Sequence, residues 1–273
     1  MHRDFKQTDW DETLVDDLQQ LFRLAVREDL DRFCDWTTVS LVPEDAKGTA
    51  DIVSRKAGVI SGLQALDVGV EELQAQIEVT LERKDGDPVE PGTVVATLHG
   101  ATRDILTLER IFLNVIGRCS GIASLTRLFV DQVSHTQAKI YDTRKTTPGW
   151  RRMEKWAVRT GGGTNHRVGL FAAVMIKDNH LAHAMQAGLT PAAAVEQVRG
   201  FLQNAEFACG NARAASGWPP VGKLPVYSDD IGGGNGSCHP QCGEGSAHGG
   251  TRLRSDAALP RVALHDADIT TES

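Results

Sequence analysis

The chain opens on a helical stripe. Leu14, Val15, Leu18, Leu21, Phe22, Ala25 and Val26 recur at the three- and four-residue steps of one helix face. Thr8, Asp9 and Asp11 stand before them as capping candidates. Ile77, Val79 and Leu81 alternate with polar residues, which predicts a half-buried strand. Asp85-Gly86-Asp87-Pro88 is a turn, and residues 93–98 form a second strand. A long helical stretch then runs from about residue 103 to 133, with Gly117 and Gly121 inside it as points of bending or of close packing. Residues 1–112 are therefore expected to form a mixed α/β domain of ordinary size.

From there the pattern alternates. Residues 138–141 predict a short strand, 151–159 a helix and 172–176 a second strand. Thr190-Pro191 caps and opens a helix through Leu202. Strand, helix, strand, helix predicts a parallel sheet or barrel, of which residues 113–204 would be the first part. A third strand is due after Leu202, yet nothing there has the pattern of a buried strand. Residues 205–273 hold 11 of the 27 glycines, 5 of the 10 prolines and 3 of the 5 cysteines, and only ten residues drawn from Ile, Leu, Val, Phe and Met. An apolar share of about one in seven is too low to bury a core, so this tail is expected to be irregular.

Composition narrows the function. A chain of 273 residues, 41% hydrophobic and 24% charged, is ordinary for a globular protein. No apolar run approaches the roughly 18 residues of a spanning helix, so no membrane role is expected. The start, MHRDFKQTDW, lacks the apolar stretch of a secretion signal. A net charge of -7 makes the chain a poor general binder of nucleic acid. Five cysteines without framework spacing point to reduced thiols and a cytoplasmic setting.

Charge is unevenly placed. Residues 140–180 carry Arg144, Lys145, Arg151, Arg152, Lys155, Arg159, Arg167 and Lys177 against Asp142, Glu154 and Asp178. Such a local excess of cations attracts a small anion. Arg151, Arg152 and Lys155, on the predicted helix, are expected to be a solvated face. Arg144 and Lys145 follow one predicted strand and Lys177 ends the next, which places both at the carboxyl ends of parallel strands, where such folds bind ligands. Arginine grips a carboxylate or phosphate through paired hydrogen bonds, and lysine acts as a mobile charge. Gly161-Gly162-Gly163 is either a phosphate cradle or a flexible loop, and His166 either a ligand or a satisfied structural histidine. The Walker phosphate loop is absent.

Read together, these segments resemble the quinolinate phosphoribosyltransferase family. The matching stretches are Glu28-Asp29 with Asp35-Trp36-Thr37-Thr38; Gly58 to Leu63; Glu109-Arg110 with Leu113-Asn114; Ser120 to Ala123; Asp142-Thr143-Arg144-Lys145-Thr146-Thr147-Pro148-Gly149; Gly161 to Arg167; and Ile176-Lys177-Asp178-Asn179-His180. The resemblance covers about residues 10 to 203. It implies an N-terminal α/β sandwich domain beside an incomplete (β/α) barrel. It implies the conversion of quinolinate and phosphoribosyl pyrophosphate to nicotinate mononucleotide, pyrophosphate and carbon dioxide, with Mg²⁺ carried largely by the pyrophosphate donor. It also implies a homodimer with shared sites. Arg144, His166 and Arg167 would bind the substrate carboxylates, with Arg110 reaching the neighbouring subunit's site. Lys145 and Lys177 would be catalytic and face the phosphoribosyl and pyrophosphate groups, and Thr146 would support their loop.

Two departures from the family pattern follow. The run Gly169-Leu170-Phe171-Ala172-Ala173 lacks the acidic residue usual there, and the later acidic strand segments of the family have no counterpart after Leu202. Two other readings therefore stand beside the enzyme: a non-catalytic remnant that dimerises, and the related transferase-like protein associated with molybdate transport. The tail has the character of an out-of-frame translation, which the other two frames of the coding DNA would test. Cys238, His239, Cys242 and His248 fit a zinc spacing only loosely.

Overall fold

The computed structural model describes residues 5–213, 226–228 and 264–271, with side chains for residues 5–203. Its helices are α1 (Glu12–Leu30), α2 (Trp36–Leu41), α3 (Ala65–Glu72), α4 (Thr102–Val133), α5 (Arg151–Thr160), α6 (Asp178–Gln186) and α7 (Pro191–Arg213). Its strands are β1 (Lys47–Ser54), β2 (Gly58–Val59), β3 (Ile77–Leu81), β4 (Pro88–Val89), β5 (Val94–Ala101), β6 (Val174–Ile176), β7 (Val226–Ser228) and β8 (Leu264–Thr271). Two compact units emerge, one of residues 5–168 with β8, the other beginning at Gly169 and including β7.

The larger unit is built as its pattern requires. The Asp11 carboxylate accepts the Leu14 N–H at 3.1 Å and starts α1, whose Leu14, Leu18 and Phe22 are buried. Asp35 caps α2 by accepting from the hydroxyl and the N–H of Thr38, and these bonds hold its carboxyl below the usual range. The sheet runs β3-β5-β1-β8 and every pairing in it is antiparallel. Burial alternates along β1, so one face of the sheet turns to the core. Helix α4 lies against β1, β5 and β8 and also packs on α1, α3 and α5. The Phe22 and Phe112 rings meet edge to face at 5.9 Å in that core.

One carboxylate ties three parts of this unit together. Asp85 accepts the Gly62 and Leu63 N–H groups at 2.9 Å each and the Trp156 indole N–H at 2.7 Å. Asp85→Ala orphans all three donors and is expected to cost about 2 kcal/mol, read as a lower midpoint in chemical denaturation.

Several expectations need correction. Residues 138–141 form no strand; a single parallel bridge pairs Tyr141 with Thr164, through the Thr164 N–H to the Ile140 carbonyl at 2.8 Å and the Asp142 N–H to the Thr164 carbonyl at 3.1 Å, and it does not extend into a ladder because Asp142 and Asn165 next to it turn their bonding to Lys155 and Gln7. The expected boundary at 112/113 falls inside α4, which continues unbroken through Gly117 and Gly121. The second strand is shorter than expected, Val174–Ile176, and the helix opened by Thr190-Pro191 runs on to Arg213. The tail is not wholly irregular: β7 pairs in parallel with β6, and β8 in antiparallel with β1. Main-chain pairing can form without the apolar side chains whose scarcity argued against strands. Cys238, His239, Cys242 and His248 lie outside the described residues.

In the smaller unit β6, α6 and α7 surround a small core of Ile176, Leu181 and Ala194. Among the described residues no helix is long and apolar enough to cross a membrane.

Candidate active site

Two loops of the larger unit carry most of the candidate residues, and a buried ion pair joins them. Lys155 points inward from α5, its side chain fully buried. Its ammonium donates to Asp142 Oδ1 at 2.5 Å and to the His166 carbonyl at 3.0 Å. Asp142 also accepts the His166 N–H at 2.8 Å and the Asn165 side-chain amide at 2.8 Å. That same amide donates to the Lys155 carbonyl at 2.9 Å. Burial pushes the Asp142 carboxyl up and the Lys155 ammonium down, and each opposes the other's shift through the pair. The bonds to neighbours on both sides are what make such a pair tolerable in the interior.

This corrects the expectation for Lys155, which is no solvated residue of a helix face. Its acceptor stands thirteen positions earlier in the chain, beyond the reach of helical spacing. Of its neighbours, Arg152 pairs with Asp17 at 2.6 Å, tying α5 to α1, and Arg151 Nε donates to the Thr146 hydroxyl at 3.1 Å. Neither is simply solvated. Asp142, Lys155 and Asn165 were missed as site-forming residues. Asp142 and Asn165 stood inside the matching motifs, but nothing local marked their mutual contact.

The network includes His166 and stands beside Arg167 and two positions before Arg144, with Lys145 and Thr146 following on the same loop; Arg110 and Lys177 lie outside it. Arg144 is half-buried, and its buried Nε has no hydrogen-bond partner. Lys145 is exposed, and its N–H donates to the Thr143 hydroxyl at 3.1 Å. Thr146 accepts from Arg151 as above. The far end of this loop is held by Arg118, which reaches both Thr147 and Glu154 and lies 5.1 Å from the Trp150 ring centre. His166 is held through its main chain by Asp142 and Lys155, and Arg167 beside it is buried. Arg110 lies on α4, exposed, 3.9 Å from Glu109. Lys177 belongs to the smaller unit, exposed at the end of β6 and at the start of α6, where its N–H donates to His180 Nδ1 at 3.0 Å.

The glycine run is neither cradle nor slack loop. The N–H groups of Gly161, Gly162 and Gly163 donate to the carbonyls of Ala157, Arg159 and Val158, so none is left to face a phosphate. The run is glycine for packing: a Cβ on Gly161 would sit 2.4 Å from the Ala123 carbonyl oxygen of α4.

An antiparallel sheet unit, a parallel strand pair with its helices, and a cationic loop pair braced by a buried ion pair define a two-part α/β protein. The chain belongs to the quinolinate phosphoribosyltransferase family: the N-terminal-domain model of "Quinolinate phosphoribosyl transferase" matches residues 35–120 and the C-terminal-domain model residues 122–212. It is 45% identical over 157 residues to the "Probable nicotinate-nucleotide pyrophosphorylase [carboxylating]" of Bacillus subtilis (strain 168), covering 58% of this chain and 54% of that one. To the corresponding Mycobacterium leprae (strain TN) protein it is 41% identical over 169 residues, covering 61% and 60%. The fold superposes on NadC from Streptococcus pyogenes with a TM-score of 0.64 at 34% identity, covering 71% of this chain and 66% of that one. It superposes on the nicotinate-nucleotide pyrophosphorylase of Francisella tularensis with a TM-score of 0.61 at 29% identity, covering 83% and 87%. The chain spans about half the length of the first curated relatives it matches.

Proposed function

We propose that the chain transfers a phosphoribosyl group from phosphoribosyl pyrophosphate, presented as its Mg²⁺ complex, to quinolinate, and releases pyrophosphate and carbon dioxide to give nicotinate mononucleotide. The observation that carries this reading is the buried Arg144 Nε without an acceptor, inside the family's loop motif. An unpaired buried donor costs free energy that an incoming carboxylate would recover. His166 and Arg167 follow on the loop that Asp142 and Lys155 brace against it. They supply further donors for a dianionic substrate, and Arg110 serves the partner's site in a homodimer.

Among the described residues no three metal-ligating side chains cluster. Mg²⁺, when it comes with the donor, neutralises pyrophosphate charge. The chain's own part is to bind and orient. Lys145 faces the phosphoribosyl and pyrophosphate groups, and Thr146, which accepts from Arg151, supports its loop; for Lys177, in the smaller unit, the same role rests on the family motif alone. As the ribose–pyrophosphate bond lengthens, negative charge gathers on the leaving group, and fixed cations stabilise it more than the ground state. Holding quinolinate in line with the sugar carbon supplies orientation. The positive charge on the alkylated ring nitrogen then stabilises the electron pair left on the adjacent ring carbon when the carboxylate departs as carbon dioxide, and that carbon takes up a proton from solvent.

Release of labelled carbon dioxide from carboxyl-labelled quinolinate, with phosphoribosyl pyrophosphate and Mg²⁺, tests this. Lys145→Ala is expected to lower the rate about a hundredfold with the fold unchanged. No release from the folded wild-type chain would refute the activity for this polypeptide.

A further inference from the structure

Residues 5–9 precede the span that the family models match, yet they are fastened to the candidate site. Gln7 pairs with both main-chain groups of Asn165: its side-chain carbonyl accepts the Asn165 N–H at 2.7 Å, and its amide donates to the Asn165 carbonyl at 3.2 Å. The same amide donates to the Phe5 carbonyl at 2.9 Å, and the Thr8 N–H donates to Asn165 Oδ1 at 2.8 Å. Arg159 holds the other end by donating to the Thr8 carbonyl at 2.8 Å and pairing with Asp9. The strap thus lies along residues 165–166 as a strand would, with a side-chain amide standing in for a peptide group.

This places the Phe5 ring, 7% exposed, against the imidazole of His166, with ring centres 4.1 Å apart and planes 37° apart. The bonds from Asp142 and Lys155 engage the His166 main chain, and the Phe5 ring engages its side chain. A flat apolar surface at that separation restricts the imidazole's rotation and covers one of its faces. We propose that Phe5 is a positioning residue of the site: its ring holds the His166 imidazole in the orientation that receives a substrate carboxylate, and Gln7 and Thr8 fasten the strap that carries it. This rests on the function proposed above, in which His166 binds quinolinate.

The test compares wild type with Phe5→Leu, which keeps buried apolar volume but removes the ring, and Phe5→Tyr, which restores the ring. Two quantities are measured on the full chain: the carbon-bound ring proton resonances of His166, assigned by their loss in His166→Asn, and the quinolinate dissociation constant by calorimetry. Phe5→Leu is expected to move the His166 resonances out of the aromatic ring-current shift and to weaken quinolinate binding about two- to tenfold. Phe5→Tyr is expected to restore both. A folded Phe5→Leu variant with unmoved resonances, or with moved resonances and unchanged affinity, overturns the proposal. Should wild type bind no quinolinate, the substrate reading fails on its own. The holding of the imidazole is then decided by the His166 χ1 torsion, read from its Hα–Hβ couplings: rotamer averaging in Phe5→Leu supports it, and an unchanged single rotamer overturns it.

Discussion

Lys155→Met is expected to destabilise the chain by roughly 3–5 kcal/mol. Methionine fills most of the space of the lysine stem, so the loss is not chiefly one of packing. It is the cost of leaving Asp142 buried without its cation, although the Asn165 and His166 donors remain. The pH dependence carries a sign. Without the ammonium, burial raises the Asp142 carboxyl further than in wild type, where it already lies above its ordinary value. A carboxyl raised in the folded state contributes stability below its unfolded value, and loses it as pH rises through the folded value. The variant's deficit is therefore smallest in acid and grows between those two values. Chemical denaturation at several pH values measures it. Removing both charges, in Lys155→Met with Asp142→Asn, is expected to cost less than Lys155→Met alone, since no buried ion is left unpaired. A pH-independent loss below about 1 kcal/mol would show that the two groups do not depend on each other.

The second large effect is expected at Gly161. Its backbone is right-handed helical, so alanine is conformationally acceptable there. The obstacle is space: the added Cβ would lie 2.4 Å from the Ala123 carbonyl oxygen and 2.8 Å from Thr126 Cβ, both on α4. Backbone cannot swing aside like a side-chain tip, so Gly161→Ala must push α4 and the end of α5 apart, at about 3 kcal/mol. Gly162 makes the contrast. It has φ +91°, and its Cβ would come no closer than 3.5 Å to Val130. Gly162→Ala meets only the left-handed backbone penalty, about 1–2 kcal/mol. Paired melting curves give the order, and a Gly162→Ala loss larger than that of Gly161→Ala would contradict this account.

These two sites show where the sequence was legible. The stripe from Leu14 to Val26, the alternation of Ile77, Val79 and Leu81, and the helix through residues 103–133 are local patterns, and the structure carries them as α1, β3 and α4. Strand β1 gave a weaker signal, since Asp51 interrupts its apolar residues; Asp51 accepts from Thr97 across the sheet. The cationic loops were legible because motif and charge coincide within a few residues. Their bracing was not. Lys155 on a charged helix has the spacing of a surface residue, and only folding brings Asp142 to it. The glycine run was ambiguous for a similar reason, because what excludes a side chain at residue 161 is a carbonyl on α4. Phe5 stood in a polar opening segment, with nothing local to couple it to His166.

The pairing of β8 with β1 bears on the order of folding. The β1–β5 and β3–β5 ladders close over modest separations, whereas Gly48 meets Thr271 only once residues 264–271 are available. Contacts of such high sequence separation form slowly, and during synthesis they wait until those residues have emerged. Until then β1 is an open edge with unpaired main-chain groups, able to recruit a strand from another chain. Yield of native protein should therefore depend on chain concentration during refolding more steeply than the stability of the finished sheet would suggest.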